Sequence, residues 1–205
     1  TVAIADHALA CMKLHKEEHP DNPFFQYVAF YAPHFPLQAM QKDIDRYRGK
    51  YKIGWDAVRK SRLERMRKMG LVDCKLSEPE TETIPGWNLS SKELQKIYGD
   101  GAVGRAVPWD TLSEEEQDFQ AQKMAVHAAM ITRMDLEIGR LIEQLKEMGE
   151  YENTLILLAS DNGASAEQLN RGDKHRKDAP LGSAGSYICL GPGWSTAANT
   201  PHRLH

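Results

Sequence analysis

The feature that most constrains this chain is a helical pattern followed, after a short turn, by an unbroken apolar run. The run is "TLILLA", residues 154–159, and it stops at "SDNG", residues 160–163. Before it, apolar residues recur at steps of four and three and end at Gly149, which is typical of an amphipathic helix and its C-terminal stop: Met134, Ile138, Leu141, Leu145 and Met148. A helix, a tight turn and an all-apolar strand are typical of a parallel sheet covered on both faces. The pattern therefore predicts an α/β fold.

Two further segments are predicted to be strands. "FFQYVAFYA", residues 24–32, is rich in aromatic and β-favouring residues and ends at Pro33. "GSYICLGPG", residues 185–193, is the third candidate. Together with residues 154–159, these segments predict part of a mainly parallel sheet flanked by helices.

Helices are predicted over residues 1–19, over residues 43–70 in two pieces, and from Ser113 to Met148. Ser113 is the predicted N-cap of the long helix because acidic residues fill the next three positions. Residues 75–110 are rich in Pro and Gly without a sustained period, and we predict a long irregular excursion there.

The composition is that of an ordinary globular protein and narrows the classes of partner. The chain has 205 residues, 41% of them hydrophobic and 27% charged, with a formal net charge of -3. We therefore predict neither a nucleic-acid partner nor a membrane partner, since no apolar run approaches the ~18 residues of a membrane span. Three scattered cysteines lack the paired spacing of a disulfide framework or zinc site, and we interpret them as structural thiols.

Polar side chains follow two of the predicted strands. His34 comes just after the first, and Asp161 and Asn162 come just after the second. Ligand sites of open α/β sheets lie at the carboxyl ends of the strands. A carboxylate oxygen beside an amide oxygen suits Ca²⁺ or Mg²⁺, and a histidine can contact an anion or protonate a leaving group. Taken alone, Asp-Asn-Gly is also a common turn, so the residues themselves leave both interpretations open.

A basic segment from Arg46 to Lys68 holds ten Lys or Arg residues and two acids, Asp56 and Glu64. Such a segment is compatible with binding to a polyanion. The alternative is a solvated helix face, or one that meets an acidic partner segment, which the slightly acidic charge of the whole chain favours.

Four separated blocks of the sequence resemble the middle-to-late part of a type I sulfatase of the arylsulfatase family. They are "PFFQYVAFYAPHFPLQA", "RYRGKYKIGWDAVRKSRLERMRKMGL", "MITRMDLEIGRLIEQLKEMGEYENTLILLASDNGAS" and "GPGWSTAANTP". The blocks stand in the family's order and cover nearly the whole chain. The resemblance implies an alkaline-phosphatase-like α/β fold, a Ca²⁺ ion, and a formylglycine nucleophile made from a Cys/Ser-x-Pro-x-Arg motif.

Carried over to this sequence, the resemblance implies that Asp161 and Asn162 are metal ligands. It implies that His34 of "APHFP" contacts the sulfate ester near the bridging oxygen. In the family mechanism the formylglycine diol attacks sulfur, expels the alcohol and releases sulfate as the aldehyde re-forms. The expected substrate is an aryl or glycan sulfate ester, and the expected compartment is periplasmic, lysosomal or secreted.

The sequence departs from the family pattern at the nucleophile. None of its Cys or Ser residues begins a Cys/Ser-x-Pro-x-Arg motif, and the family's early Asp pair and its early substrate-binding Lys and His are also missing. We therefore predict that residues 1–205 are a fragment of a sulfatase catalytic domain, inactive alone and dependent on the rest of its own chain. The alternatives are a phosphodiesterase or phosphonate hydrolase of the same superfamily, and a non-catalytic module that binds polyanions.

Overall fold

The computed structural model describes residues 1–82 and 84–202. These residues form six α-helices joined by irregular segments and short 3-10 turns: α1 (Val2–Glu18), α2 (Gln41–Ile44), α3 (Gly54–Lys68), α4 (Ser91–Tyr98), α5 (Glu114–Glu147) and α6 (Gly191–Ala198). None of the described residues lies in a β-strand. The predicted α/β fold with a mainly parallel sheet is therefore wrong for this structure.

Two of the predicted strands are irregular segments with exposed apolar side chains. Phe25 is 92% exposed, and Leu155 and Leu157 are each 84% exposed. The prediction failed because β-propensity measures how well a side chain fits a pleated, half-buried surface, and a strand exists only when a neighbouring segment pairs with it. Composition identified side chains suited to a sheet, but it carried no information about a pairing partner.

The third predicted strand is buried, but it is not a strand either. Tyr187 to Leu190 are all less than 9% exposed, and the helix α6 begins at Gly191, inside the predicted segment. Pro192 lies in the first turn of α6, where a missing backbone N–H costs nothing and the fixed φ suits a helix. The apolar residues of 187–190 therefore contribute to a core without belonging to a sheet.

The chain divides into two compact units. The first combines Thr1–His34 with Met130–Ala159, and the second combines Phe35–Ala129 with the described residues from Ser160 onward. The division falls within α5, between Ala129 and Met130. In the part of the chain that the structure covers, no helix is both long and apolar enough to cross a membrane.

In the first unit, an ion pair links α1 to the C-terminal part of α5. Glu137 is buried and lies 3.4 Å from Arg133 and 2.5 Å from Arg140, and Arg140 also lies 2.6 Å from Asp6 of α1. A buried carboxylate needs such partners, because a charge removed from water is costly unless it is paired. The buried residues of α1 are spaced at helical intervals: Ala5, Ala8 and Met12.

In the second unit, three tryptophans pack together at the contact between α3 and α6, and the Trp55 ring stands edge-on to the other two. The ring of Trp55 lies 4.8 Å from that of Trp109 and 5.6 Å from that of Trp194, centroid to centroid. Trp55 also donates a hydrogen bond from Nε1 to the Val107 carbonyl at 2.9 Å. Gly193 permits this contact, because a Cβ there would fall 2.7 Å from the Trp55 ring. These rings form the aromatic core of the second unit.

Two helices of the second unit begin with the same reciprocal side-chain motif. Ser113 Oγ accepts from the Glu116 N–H at 3.2 Å, while the Glu116 carboxylate accepts from the Ser113 N–H at 2.7 Å, which confirms the predicted start of α5. Ser90 and Glu93 form the same capping box at α4. Helix α4 lies inside residues 75–110, a segment that we predicted to be irregular throughout.

Candidate functional site

Asp161 and Asn162 lie in a bend, and both side chains are exposed. The Ser160 hydroxyl donates to the Asn162 carbonyl at 2.7 Å. The Asn162 Nδ2 donates to the Gly163 carbonyl at 2.8 Å. Because that bond uses a donor of the amide, the Asn162 Oδ1 is left as an acceptor for another group.

The chemistry of this pair of donors fits a calcium ion. The Asp161 carboxylate forms no ion pair with any residue of 1–82 or 84–202, so its oxygens are available to a cation. Calcium prefers carboxylate and amide oxygens and takes about 6–8 of them, so Asp161 and Asn162 would supply part of its shell. Among the described residues, no group of three or more His, Cys, Asp or Glu side chains is arranged to hold a metal ion.

Asn199 forms hydrogen bonds with Ala164, two residues after Asn162. Asn199 was not identified from the sequence. The Asn199 Oδ1 accepts from the Ala164 N–H at 2.8 Å, and its Nδ2 donates to the Ala164 carbonyl at 2.7 Å. Asn199 follows the last residue of α6 and is 35 positions away from Ala164 in sequence. The only local signal would have been an Asn at a helix C-terminus, which usually indicates a cap and nothing more.

His34 is the last residue of the N-terminal segment of the first unit, and its side chain is exposed. Its N–H donates to the Tyr31 carbonyl at 3.0 Å, and its ring lies 5.1 Å from the Tyr31 ring. The turn of residues 31–34 therefore sets the direction of the histidine locally. Asp161 and Asn162 belong to the second unit.

Comparison with known protein families identifies the family of this chain. A family model described as Sulfatase matches residues 1–188. The chain belongs to the sulfatase family. The match includes His34, Asp161 and Asn162, and the family prediction made from the sequence is confirmed.

Individual relatives are also sulfatases. An uncharacterized sulfatase of Schizosaccharomyces pombe is 37% identical over 199 residues, covering 92% of this chain and 32% of that protein. An arylsulfatase of Klebsiella aerogenes is 31% identical over 194 residues, covering 89% of this chain and 36% of that protein. This sulfatase chain therefore spans about a third of the length of these relatives.

The second unit also contains a buried lysine, Lys123. Lys123 of α5 is 2% exposed and lines a small cavity of about 10 Å³ together with Tyr98, Gln168 and Cys189. Burial lowers the pKa of Lys123 to about 7 and raises the pKa of the Cys189 thiol to about 11. The Gln168 Oε1 in the same cavity has no hydrogen-bond partner among the described residues.

Lys123 was also missed by sequence reasoning, although its spacing was informative. It stands four residues after Phe119 and four before His127, on the face of α5 that packs inward. A lysine is rarely placed on such a face, because an unpaired buried charge is costly. The structure therefore places a buried amine in the second unit of the chain.

His175 takes part in a hydrogen bond and in a ring contact within the second unit. Its Nδ1 accepts from the Tyr187 N–H at 3.1 Å, and its ring stands edge-on to the Tyr98 ring at 4.7 Å. Burial lowers the pKa of His175. Its environment accordingly favours a structural role in this sulfatase.

Proposed function

We propose that this chain is part of a sulfuric ester hydrolase in which Asp161 and Asn162 hold a Ca²⁺ ion and His34 contacts the sulfate ester. Membership of the sulfatase family over residues 1–188 is the observation that carries the proposal. The available oxygens of Asp161 and Asn162 support it, because they match the donors that calcium prefers. The nucleophile would be a formylglycine outside residues 1–205, since the sequence contains no Cys/Ser-x-Pro-x-Arg motif.

Each residue would have a distinct part in the reaction. The Asp161 carboxylate and the Asn162 Oδ1 would hold the ion and fix its position. A bound Ca²⁺ would supply positive charge for the sulfate oxygens. His34 would donate a proton to the bridging oxygen as the bond from sulfur to the leaving alcohol breaks.

The change Asp161→Ala, made in the intact natural protein, tests the metal assignment. We expect kcat for a chromogenic aryl sulfate to fall by roughly 10²–10³-fold, the loss typical of removing one preorganised electrostatic contact to the reacting group. The measurement is a steady-state assay with and without added Ca²⁺.

Asp178→Ala is the matched control, because Asp178 is an exposed aspartate of the same unit that forms no ion pair with a described residue. It is expected to keep wild-type activity. Equal activity of the wild type and Asp161→Ala would show that Asp161 does not hold a catalytic metal. Hydrolysis of an aryl phosphodiester in preference to the aryl sulfate would instead indicate the phosphodiesterase class.

A second candidate function is favoured by the basic segment 46–68. Five of its cations are exposed and form no ion pair with a described residue: Arg46, Lys60, Arg62, Arg65 and Lys68. An unpaired basic surface in a chain of net negative charge favours a polyanion such as a sulfated glycan.

This second candidate predicts binding to heparin that weakens steeply with salt and is unchanged by Asp161→Ala. A triple change of Lys60, Arg62 and Arg65 to Ala is expected to lower heparin affinity and to make the dependence on salt shallower, because each neutralised phosphate or sulfate contact releases a counterion. Affinity that is unaffected by the triple change would identify the segment as a solvated helix face.

A further inference from the structure

The side-chain amide of Asn199 forms two hydrogen bonds with the backbone N–H and carbonyl of Ala164. One donor and one acceptor of the amide meet the one donor and one acceptor of Ala164, at 2.7 and 2.8 Å. A neighbouring strand would pair with Ala164 through the same two bonds. Because the described residues contain no strand, Asn199 provides the pairing that this segment would otherwise lack.

The close approach of Asn199 reaches the residue next to the proposed metal pair. A Cβ on Gly163 would fall 2.6 Å from the Asn199 Oδ1. Real Cβ atoms do not approach that closely, so any larger residue at 163 would displace the amide. The glycine that follows Asn162 is therefore required by Asn199 and not by its own backbone conformation.

Asn199 is itself fixed to the core of the second unit. Its N–H donates to the Ser195 carbonyl at 2.9 Å, and its carbonyl accepts from the His202 N–H at 2.9 Å. Helix α6, which precedes it, is buried from Gly191 to Ala197 and carries Trp194 of the aromatic core. The amide therefore connects residues 163 and 164, which follow the bend at Asp161 and Asn162, to the buried helix α6.

We propose that Asn199 is a positioning residue that holds Asp161 and Asn162 in the arrangement that binds Ca²⁺. The inference rests on the proposed function, since it concerns the same metal pair. A calcium site needs its oxygens fixed in space, and a residue that orients ligands without touching the metal often affects affinity by about 10–100-fold. Asn199 does so through Ala164 and Gly163, without contact to the ion.

The test is calorimetric titration of Ca²⁺ into the intact natural protein. We expect Asn199→Ala to raise the Kd for Ca²⁺ by about 10–100-fold, and Asp161→Ala to abolish binding. Gly163→Ala is a second variant, because it leaves Asn199 unchanged but forces its amide away from Ala164, and we expect a similar loss. Hydrogen exchange at the Ala164 amide is expected to accelerate in both variants without any metal.

The chain offers a matched control in Asn88. Its Nδ2 donates to the Ala166 carbonyl at 3.0 Å, and its Oδ1 accepts from the Gln168 N–H at 2.9 Å, so it is the same kind of amide contact further from the metal pair. We expect Asn88→Ala to retain Ca²⁺ affinity within about threefold, well below the effect of an orienting residue. A loss equal to that of Asn199→Ala would overturn the positioning role in favour of general loosening of residues 164–168.

The outcomes separate this inference from the proposed function. If Asp161→Ala abolishes Ca²⁺ binding while Asn199→Ala and Gly163→Ala keep wild-type affinity, Asn199 is not a positioning residue and the metal pair stands. If the wild-type protein binds no Ca²⁺, or if Asp161→Ala binds as tightly as the wild type, the metal pair is wrong and the role of Asn199 falls with it.

Discussion

Replacing Trp194 with alanine is expected to lower the free energy of unfolding by about 3–5 kcal/mol, the range for removing a large aromatic side chain from a core. Trp194 is fully buried, with 0% of its surface exposed. Its ring lies 5.6 Å from Trp55 and 5.8 Å from Trp109. Its Nε1 donates to the Gln120 carbonyl at 2.8 Å, so the change also leaves a buried acceptor without its partner. Urea unfolding of the intact natural protein, followed by far-UV circular dichroism, measures the effect.

Trp87→Ala provides the comparison for this prediction. Trp87 is 67% exposed, and its main polar contact is a hydrogen bond to the Glu167 carboxylate at 2.7 Å. Surface substitutions of this kind usually change stability by less than about 0.5 kcal/mol, or slightly more when one hydrogen bond is lost. Equal losses for Trp194→Ala and Trp87→Ala would mean that the aromatic core does not dominate the stability of the second unit.

Replacing Lys123 with methionine is expected to stabilise the protein at neutral pH and to remove a pH dependence. The pKa of Lys123 is about 7 in the folded state, against an ordinary value of 10.5. Between these values the unfolded chain binds a proton that the folded chain does not, so stability rises with pH by up to ~1.4 kcal/mol per pH unit. Below pH 7 both states are protonated, and the full cost of burying the charge remains.

The measurement is urea unfolding between pH 7 and pH 9. Above pH 9 the Cys189 thiol opposes the trend, because burial raises its pKa from an ordinary value of 9.0 to about 11. Lys92→Met is the control, since Lys92 is exposed on α4 and should leave the slope intact. A wild-type stability that is flat across this range, and unchanged by Lys123→Met, would mean that the Lys123 amine reaches water.

Helices were predictable from the sequence where local interactions decide them. The start of α5 depends on Ser113 and Glu116, three positions apart, and its body depends on apolar residues at steps of three and four. The same local signal, a Ser followed by a Glu three positions later, marks Ser90 and was overlooked inside the segment predicted to be irregular. Residues within one turn of helix were therefore sufficient to predict where these helices begin.

Strands were not predictable in this way, because each one depends on a second segment. The runs at 24–32 and 154–159 have the composition of strands, yet pairing depends on residues distant in sequence. The residues of the second unit differ in the same way, since some are recognisable from local sequence and others only from contacts between distant segments. Asp161 and Asn162 are a local pattern, whereas Asn199 acts across 35 residues and Lys123 is recognisable only once the inward face of α5 is known.

The distribution of the aromatic core has a practical consequence for spectroscopy. All four tryptophans of the sequence, Trp55, Trp87, Trp109 and Trp194, belong to the second unit. Three of them lie within 6 Å of one another, ring to ring, so their excited states are expected to exchange energy. Indole emission will therefore report on events in the second unit, and a tryptophan introduced at Tyr151 would provide an optical reporter for the first unit.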